Sequence, residues 1–82
     1  MIKNHNDNYY KTSDLALSTI LSLYFPIETT EFLDNKKVLF VFIKSPELEK
    51  LIALYWSGDM RVEPQQFFNQ LKVIKTRIYS GL

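Results

Sequence analysis

The segment from Pro64 to Tyr79 combines aromatic rings and ammonium groups at a spacing that could bind nucleic acid. If it is a helix, with about 100° of rotation per residue, four of its side chains fall within roughly 60° of one another. These four, which we call the aromatic-basic stripe, are Phe68, Lys72, Lys75 and Tyr79. Lysines attract phosphates and aromatic rings stack on bases, so the stripe is suited to a nucleic-acid strand.

The distribution of charge points to the same segment. The formal net charge is only +1, yet residues 64–82 contain three basic residues (Lys72, Lys75 and Arg77) and no acidic one. This excess is mild beside that of a dedicated DNA-binding protein. Additional phosphate contacts could come from three other lysines, Lys11, Lys36 and Lys37. Since each contact loses about 0.9 log units of affinity per decade of salt, we expect weak and strongly salt-dependent binding.

The stripe also has a purely structural interpretation. Cations near a helix C-terminus stabilise the helix dipole by about 0.3–1 kcal/mol each. Phe68 and Tyr79 could form a second wall of the core, with the lysine stems lying over them. The first wall would be a neighbouring apolar stripe, about 100° away, made of Phe67, Leu71, Ile74 and Ile78. Both interpretations stay open on the sequence alone.

Composition argues against catalysis and against a metal centre. The chain has no cysteine and a single histidine, His5, which lies in a polar segment. A structural zinc site normally requires four cysteine or histidine ligands. Only two glycines are present, so there is no glycine-rich phosphate loop. We therefore expect a protein that is not an enzyme and that holds no cofactor and no metal.

Length and hydropathy predict one small folded domain. At 82 residues, 46% of them hydrophobic, the chain can form a single core of marginal size. No apolar run approaches the ~20 residues of a membrane span, and the first residues lack the apolar region of a secretory signal. The absence of cysteine fits a reducing compartment. We expect a cytoplasmic protein without membrane contact, whose surplus aromatic surface is covered by a protein partner or a second copy.

The order of predicted elements is that of an α+β fold. Residues 1–8 are expected to form a flexible polar leader and residues 9–82 a single globular domain. A two- or three-stranded antiparallel sheet is predicted from a hairpin over 27–44 and a possible strand over 9–11. Capping and stop signals, among them Ser45-Pro46 and Gly58, delimit three helices. Their predicted ranges are about 14–25, 46–57 and 64–80.

Three local patterns make further predictions. The strand Val38–Ile43 is apolar on both faces, which is typical of a central strand covered on both sides. The first helix carries an uncharged side that consists of Ser18, Thr19 and Ser22. This side is either an ordinary solvent-exposed face or a close-packing surface for another chain. Tyr55 and Trp56 are expected in the core, the alternative being an exposed aromatic platform beside Arg61.

An ordered set of weak motifs resembles a known family. The set comprises Tyr10-x-Thr12-x-Asp14-Leu15-x-Leu17, Phe40-x-Phe42, Tyr55-Trp56-x-Gly58, Val62-x-Pro64, and a closing Phe68, Lys72, Lys75, Arg77 and Tyr79. Over roughly residues 9–79 the chain is similar to small bacterial, archaeal and phage-borne domains of unknown function. The resemblance implies a self-contained domain and a phage or mobile-element context, and it implies no catalytic residue.

Two hypotheses of function follow from these patterns. The first is a protein-interaction or self-associating module, most simply a homodimer, motivated by the surplus of aromatic residues and the doubly apolar strand. The alternative is a nucleic-acid-binding module, for DNA or RNA, that uses the last helix. The candidate contact residues for nucleic acid or a partner are Phe68, Lys72, Lys75, Arg77, Tyr79, Lys36 and Lys37.

Overall fold

A computed structural model describes residues 8–81 and has the α+β fold that the sequence predicts. Its elements in chain order are β1 (Tyr9–Thr12), α1 (Leu15–Ser22), β2 (Thr29–Phe32), β3 (Val38–Ile43), α2 (Pro46–Ser57) and α3 (Pro64–Ser80). The bounds predicted for α2 and α3 are confirmed. The expected flexible leader, His5 included, falls almost wholly on residues 1–7, which lie outside the described residues.

The three strands form an antiparallel sheet in the order β1-β3-β2. β3 is central, as its apolar sequence predicts, and β1 pairs along the edge that the hairpin leaves open. One face of β3, formed by Val38, Phe40 and Phe42, packs in a core cluster to which all three helices contribute. On the opposite face Val41 is 2% exposed but Ile43 is 55% exposed, so the prediction of cover on both faces is confirmed only in part.

The helices lie side by side on the covered face. α1 occupies the middle and packs against both α2 and α3. α2 lies over β1, since Ile52 and Tyr10 line the same surface depression. The end of α3 lies over β2, where Gly81 touches the ring of Phe32 so closely that any Cβ would collide with it. α3 is therefore the helix at the β2 edge of the sheet.

α1 is shorter than predicted at both ends. The predicted range began at Asp14, but Asp14 is extended and is the N-cap, its Oδ1 accepting from the backbone N–H of Leu17 at 2.9 Å. The helix ends at Ser22, and the N–H groups of Leu23 and Tyr24 bond three residues back, as in a tightened last turn. Pro26 disfavours a helical conformation at Phe25, so the helix cannot continue beyond this turn.

Neither prediction for the uncharged side of α1 is correct. Ser18 and Thr19 are fully buried, and they are buried by this chain itself. Gln70 of α3 donates from Nε2 to Ser22 Oγ at 2.9 Å, and Ser22 Oγ donates to the carbonyl of Thr19 at 2.8 Å. Because Ser18 and Ser22 are one turn apart, they share a side of the helix. Small residues there let α3 approach α1 closely.

The Ser18 hydroxyl makes this packing testable. Its Oγ is buried and has no hydrogen-bond partner among the described residues. Replacing it with alanine removes an unpaired polar group, so we expect Ser18→Ala to raise the free energy of unfolding by about 0.5–1 kcal/mol. Ser18→Leu should lower it by about 1–3 kcal/mol through overpacking. Urea denaturation measures both, and full tolerance of leucine would show that α3 does not pack on this side.

A hydrogen bond links the start of α1 to α2. The hydroxyl of Tyr55 donates to both carboxylate oxygens of Asp14, at 3.1 and 3.2 Å. Asp14 thus caps α1 and accepts from α2 at the same time. Partial burial, followed by the bond to Asp14 and the nearby negative charge, raises the pKa of Tyr55 above its ordinary value. The folded protein therefore favours the neutral phenol.

The Tyr55 hydroxyl should make stability depend on pH in alkali. At neutral pH we expect Tyr55→Phe to lower the free energy of unfolding by about 1 kcal/mol, the typical net value of one hydrogen bond. The wild-type contribution is fully present below the unfolded-state pKa of about 10 and is lost as pH rises through the higher folded-state pKa. The difference between wild type and Tyr55→Phe should therefore shrink above pH ~10, as measured by urea titrations. A constant difference would contradict the link.

Candidate nucleic-acid interface

Helix α3 begins and packs as its sequence predicts. Glu63 is its N-cap and accepts from the N–H groups of Gln65 and Gln66 at 3.1 and 2.8 Å, so glutamate serves where aspartate is the better cap. Ile74 is fully buried and Ile78 packs against the core cluster. The predicted core face of α3 is thus confirmed at Ile74 and Ile78, whereas Phe67 and Leu71 are half-buried. This face fixes the rotation of the helix and hence the direction of every other side chain on it.

The aromatic-basic stripe lies on the solvent side of α3. Phe68 is 59% exposed and Tyr79 is 69% exposed, and Lys72 and Lys75 are exposed as well. The ring of Phe68 touches that of Phe67 edge-on, with centroids 5.9 Å apart. The interpretation in which Phe68 and Tyr79 wall the core is therefore wrong. Over the ~16 Å of helix axis between them, at 1.5 Å per residue, the stripe presents two rings and two ammonium groups to water.

The stripe points away from α1. Gln70 marks the α1 side of the helix, because it bonds Ser22. On an α-helix Gln70 is about 160° away from Phe68. Since α1 lies in the middle of the helical layer and α3 covers β2, the stripe faces outward past the β2 edge. No other element of the described fold has to be displaced for a ligand to reach it.

Arg77 does not belong to this surface. Seven residues of helix place it about 20° from Gln70 and roughly opposite Phe68. It is exposed, but on the α1 side of α3. The structure therefore separates Arg77 from Phe68, Lys72, Lys75 and Tyr79, with which the sequence analysis grouped it.

The lysines outside α3 divide into two groups. Lys11 Nζ forms a salt bridge with Glu31 Oε2 at 3.0 Å on the uncovered face of the sheet, so it is not placed to help the stripe. Lys36 and Lys37, in the turn between β2 and β3, line a cleft together with Ile78 of α3. The fold thus brings these two lysines to the C-terminal end of α3. In the described part of the chain, no acidic side chain forms a salt bridge with Lys72 or Lys75.

The prediction that Trp56 lies in the core is wrong. Trp56 is 64% exposed rather than buried, and its ring meets that of Tyr55 edge-on at 5.0 Å. Tyr55 itself packs partly against the core, as predicted. Arg61 donates to the carbonyls of Gly58 and Met60, and within the described residues it pairs with no acid. The position of Trp56 at the margin of the apolar side of α2 was the available signal.

Metal-binding clusters and membrane-spanning helices are two further features that residues 8–81 could contain. This part of the chain contains no cluster of three or more histidine, cysteine, aspartate or glutamate side chains that could hold a metal ion. No helix of the described structure is long and apolar enough to cross a membrane.

Comparison with known proteins assigns the chain to a family. The model of the family described as "Domain of unknown function (DUF5659)" matches residues 7–80, and the chain belongs to this family. The prediction of a small family of unknown function is thereby confirmed. No curated protein and no solved structure matches the chain.

Proposed function

We propose that this domain is a non-enzymatic binding module that holds unpaired nucleic-acid strands on the aromatic-basic stripe. The family supplies no activity, so the proposal is carried by one observation. Two large aromatic rings, 59% and 69% exposed, flank two exposed lysines on a helix that has no acidic residue. A small protein gains nothing in stability from leaving such rings in water, whereas stacked bases would cover them.

The chemistry of the stripe favours an unpaired strand over a duplex. Aromatic rings stack only on bases whose faces are accessible, as they are in single strands, loops and ends. Lys72 and Lys75 supply positive charge but lack the planar guanidinium group with which arginine makes two hydrogen bonds to guanine. Binding is therefore largely independent of base sequence. With two lysines contacting phosphates, the affinity is weak and depends on salt.

A charge-reversal variant tests the stripe. We expect Lys72→Glu/Lys75→Glu to abolish retention of the protein on a mixed single-stranded oligonucleotide column at ~50 mM salt, because it replaces two attractive contacts with repulsive ones. The melting temperature should stay within about 2 °C of wild type, since both side chains are exposed. Lys44→Glu/Lys50→Glu makes the same change of charge on other exposed sites and should retain most binding.

Two controls decide what is bound. Phe68→Ala/Tyr79→Ala should weaken binding to oligonucleotides by more than tenfold, at ~1–3 kcal/mol per stacked base, and leave binding to inorganic polyphosphate unchanged. Equal losses in both charge-reversal variants would mean that net charge alone causes retention. Undiminished retention of Lys72→Glu/Lys75→Glu would contradict the proposal.

A second candidate function is self-association through the uncovered face of the sheet. On this face an apolar row along β3, with Ile43 55% exposed, lies between Lys11 on β1 and Glu31 on β2. A two-fold axis parallel to β3 would place Lys11 of one copy over Glu31 of the other, so the salt bridge that these side chains form within one copy could be exchanged for two between copies. Against this, Val41 at its centre is already only 2% exposed within one copy.

Sedimentation of an exposed-face variant tests self-association. If copies pair through this face, Ile43→Lys should convert dimers to monomers at micromolar concentration without unfolding, because Ile43 contributes little to the monomer core. Phe40→Asp cannot serve this purpose, since Phe40 is buried and the change would unfold the chain. A wild-type mass of one chain from micromolar to millimolar concentration would contradict this candidate.

A further inference from the structure

A concave surface lies near the C-terminal end of α3, where the stripe ends. It is a cleft of about 320 Å³ between the residues that precede α1, the turn that joins β2 to β3, and the C-terminal half of α3. Its rim includes Ser13, Lys36 and Lys37, and Ile78 forms its α3 wall. Tyr79, the next residue along α3, is the last member of the aromatic-basic stripe. Tyr79 and Ile78 point about 100° apart around the helix, so the cleft lies on a different face of α3 from the stripe. A strand on the stripe reaches the cleft by bending around the C-terminal end of α3, where the turn that carries Lys36 and Lys37 lies.

The charges around the cleft favour an anion. Both turn lysines are exposed, and within the described residues neither forms a salt bridge. The carboxylate of Asp14, adjacent to Ser13, is held toward α2 by the hydroxyl of Tyr55. Asp34 lies in the same turn but does not line the cleft. Two ammonium groups thus border the cleft, while Asp14, the acid at the start of α1, is hydrogen-bonded to Tyr55.

The backbone at Lys36 is unusual for a lysine. Its φ is +66°, the left-handed conformation that glycine adopts without penalty and that costs other residues about 1–2 kcal/mol. The turn is fixed by hydrogen bonds from the N–H of Lys36 to the carbonyl of Leu33 and from the N–H of Lys37 to Asn35 Oδ1. A strained position that carries a cationic side chain is consistent with use of that side chain in binding.

The shape of the cleft indicates which kind of phosphate it accepts. Val38 and Phe40 line it from β3 and are both buried, so its floor is closed. A phosphodiester inside a strand carries one negative charge, and the strand must leave the cleft on both sides of it. A terminal phosphomonoester carries about −1.5 to −2 charges near pH 7 and continues in only one. Two lysines above a closed floor suit the monoester better.

We propose that this cleft binds the terminal phosphate of a strand whose bases lie on the aromatic-basic stripe. The inference rests on the proposed function and adds a preference for phosphorylated ends. Lys36 and Lys37 neutralise the phosphate, and the hydroxyl of Ser13 is placed to donate a hydrogen bond to one of its oxygens.

Binding of three oligonucleotides of one sequence tests the proposal. One carries a 5′-phosphate, one a 3′-phosphate and one a hydroxyl at both ends, and affinities are measured by fluorescence anisotropy at ~50 mM salt. We expect one phosphorylated form to bind wild type about fivefold more tightly than the unphosphorylated form, as two exposed ion pairs would give. Lys36→Gln/Lys37→Gln should remove this preference and leave binding of the unphosphorylated form nearly unchanged.

The control variant and the other outcomes separate the two proposals. Lys44→Gln/Lys50→Gln, with the same loss of charge away from the cleft, should keep the preference. Inorganic phosphate at millimolar concentration should not abolish the preference for the phosphorylated oligonucleotide. If it does, the cleft binds free phosphate, and the proposal is contradicted. Equal binding of all three oligonucleotides by wild type overturns the terminal-phosphate site alone. Failure of wild type to bind any of them overturns the proposed function and this inference together.

Discussion

The burial of α1 on nearly all sides is the constraint on which the rest of the structure depends. This helix spans only Leu15–Ser22, and its five consecutive residues 17–21 are buried. Leucines face the sheet, whereas the serines on the Gln70 side allow α3 to approach. A helix this short is only marginally stable in water by itself. Its stability therefore comes from packing and from the Asp14 cap. Because α1 fills the centre, α2 and α3 must lie to either side of it.

The position of α1 determines which surface of α3 remains free. The hydrogen bond between Gln70 and Ser22 fixes one side of α3 against α1, and Ile74 fixes a second side against the core. The opposite side then faces water beyond the β2 edge, and Phe68 and Tyr79 lie there. The exposure of these rings is thus a consequence of helix packing. The binding proposed for the stripe and for the cleft would need no rearrangement of the described core.

The sequence predicted the elements that carry strong local signals. Ser45, Pro46 and Gly58 delimit α2 because each has a backbone preference that acts without the rest of the fold. The sequence did not predict the environments of Phe68 and Ser18, because each depends on where α1 lies relative to α3. Until the neighbouring helix is placed, an aromatic residue beside a core stripe can be buried or exposed. The same holds for a serine on a helix surface. Arg77 was grouped wrongly because adjacency in sequence was not converted into an angle around the helix.

The salt dependence of wild-type binding to an unphosphorylated single-stranded oligonucleotide tests the central claim most directly. If Lys72 and Lys75 contact two phosphates of a strand stacked on Phe68 and Tyr79, a complex should form at ~50 mM salt. The logarithm of its association constant should then fall with the logarithm of salt concentration with a slope of about −1.4. No complex at low salt, or a slope near zero, would contradict the assignment of the aromatic-basic stripe as a nucleic-acid interface.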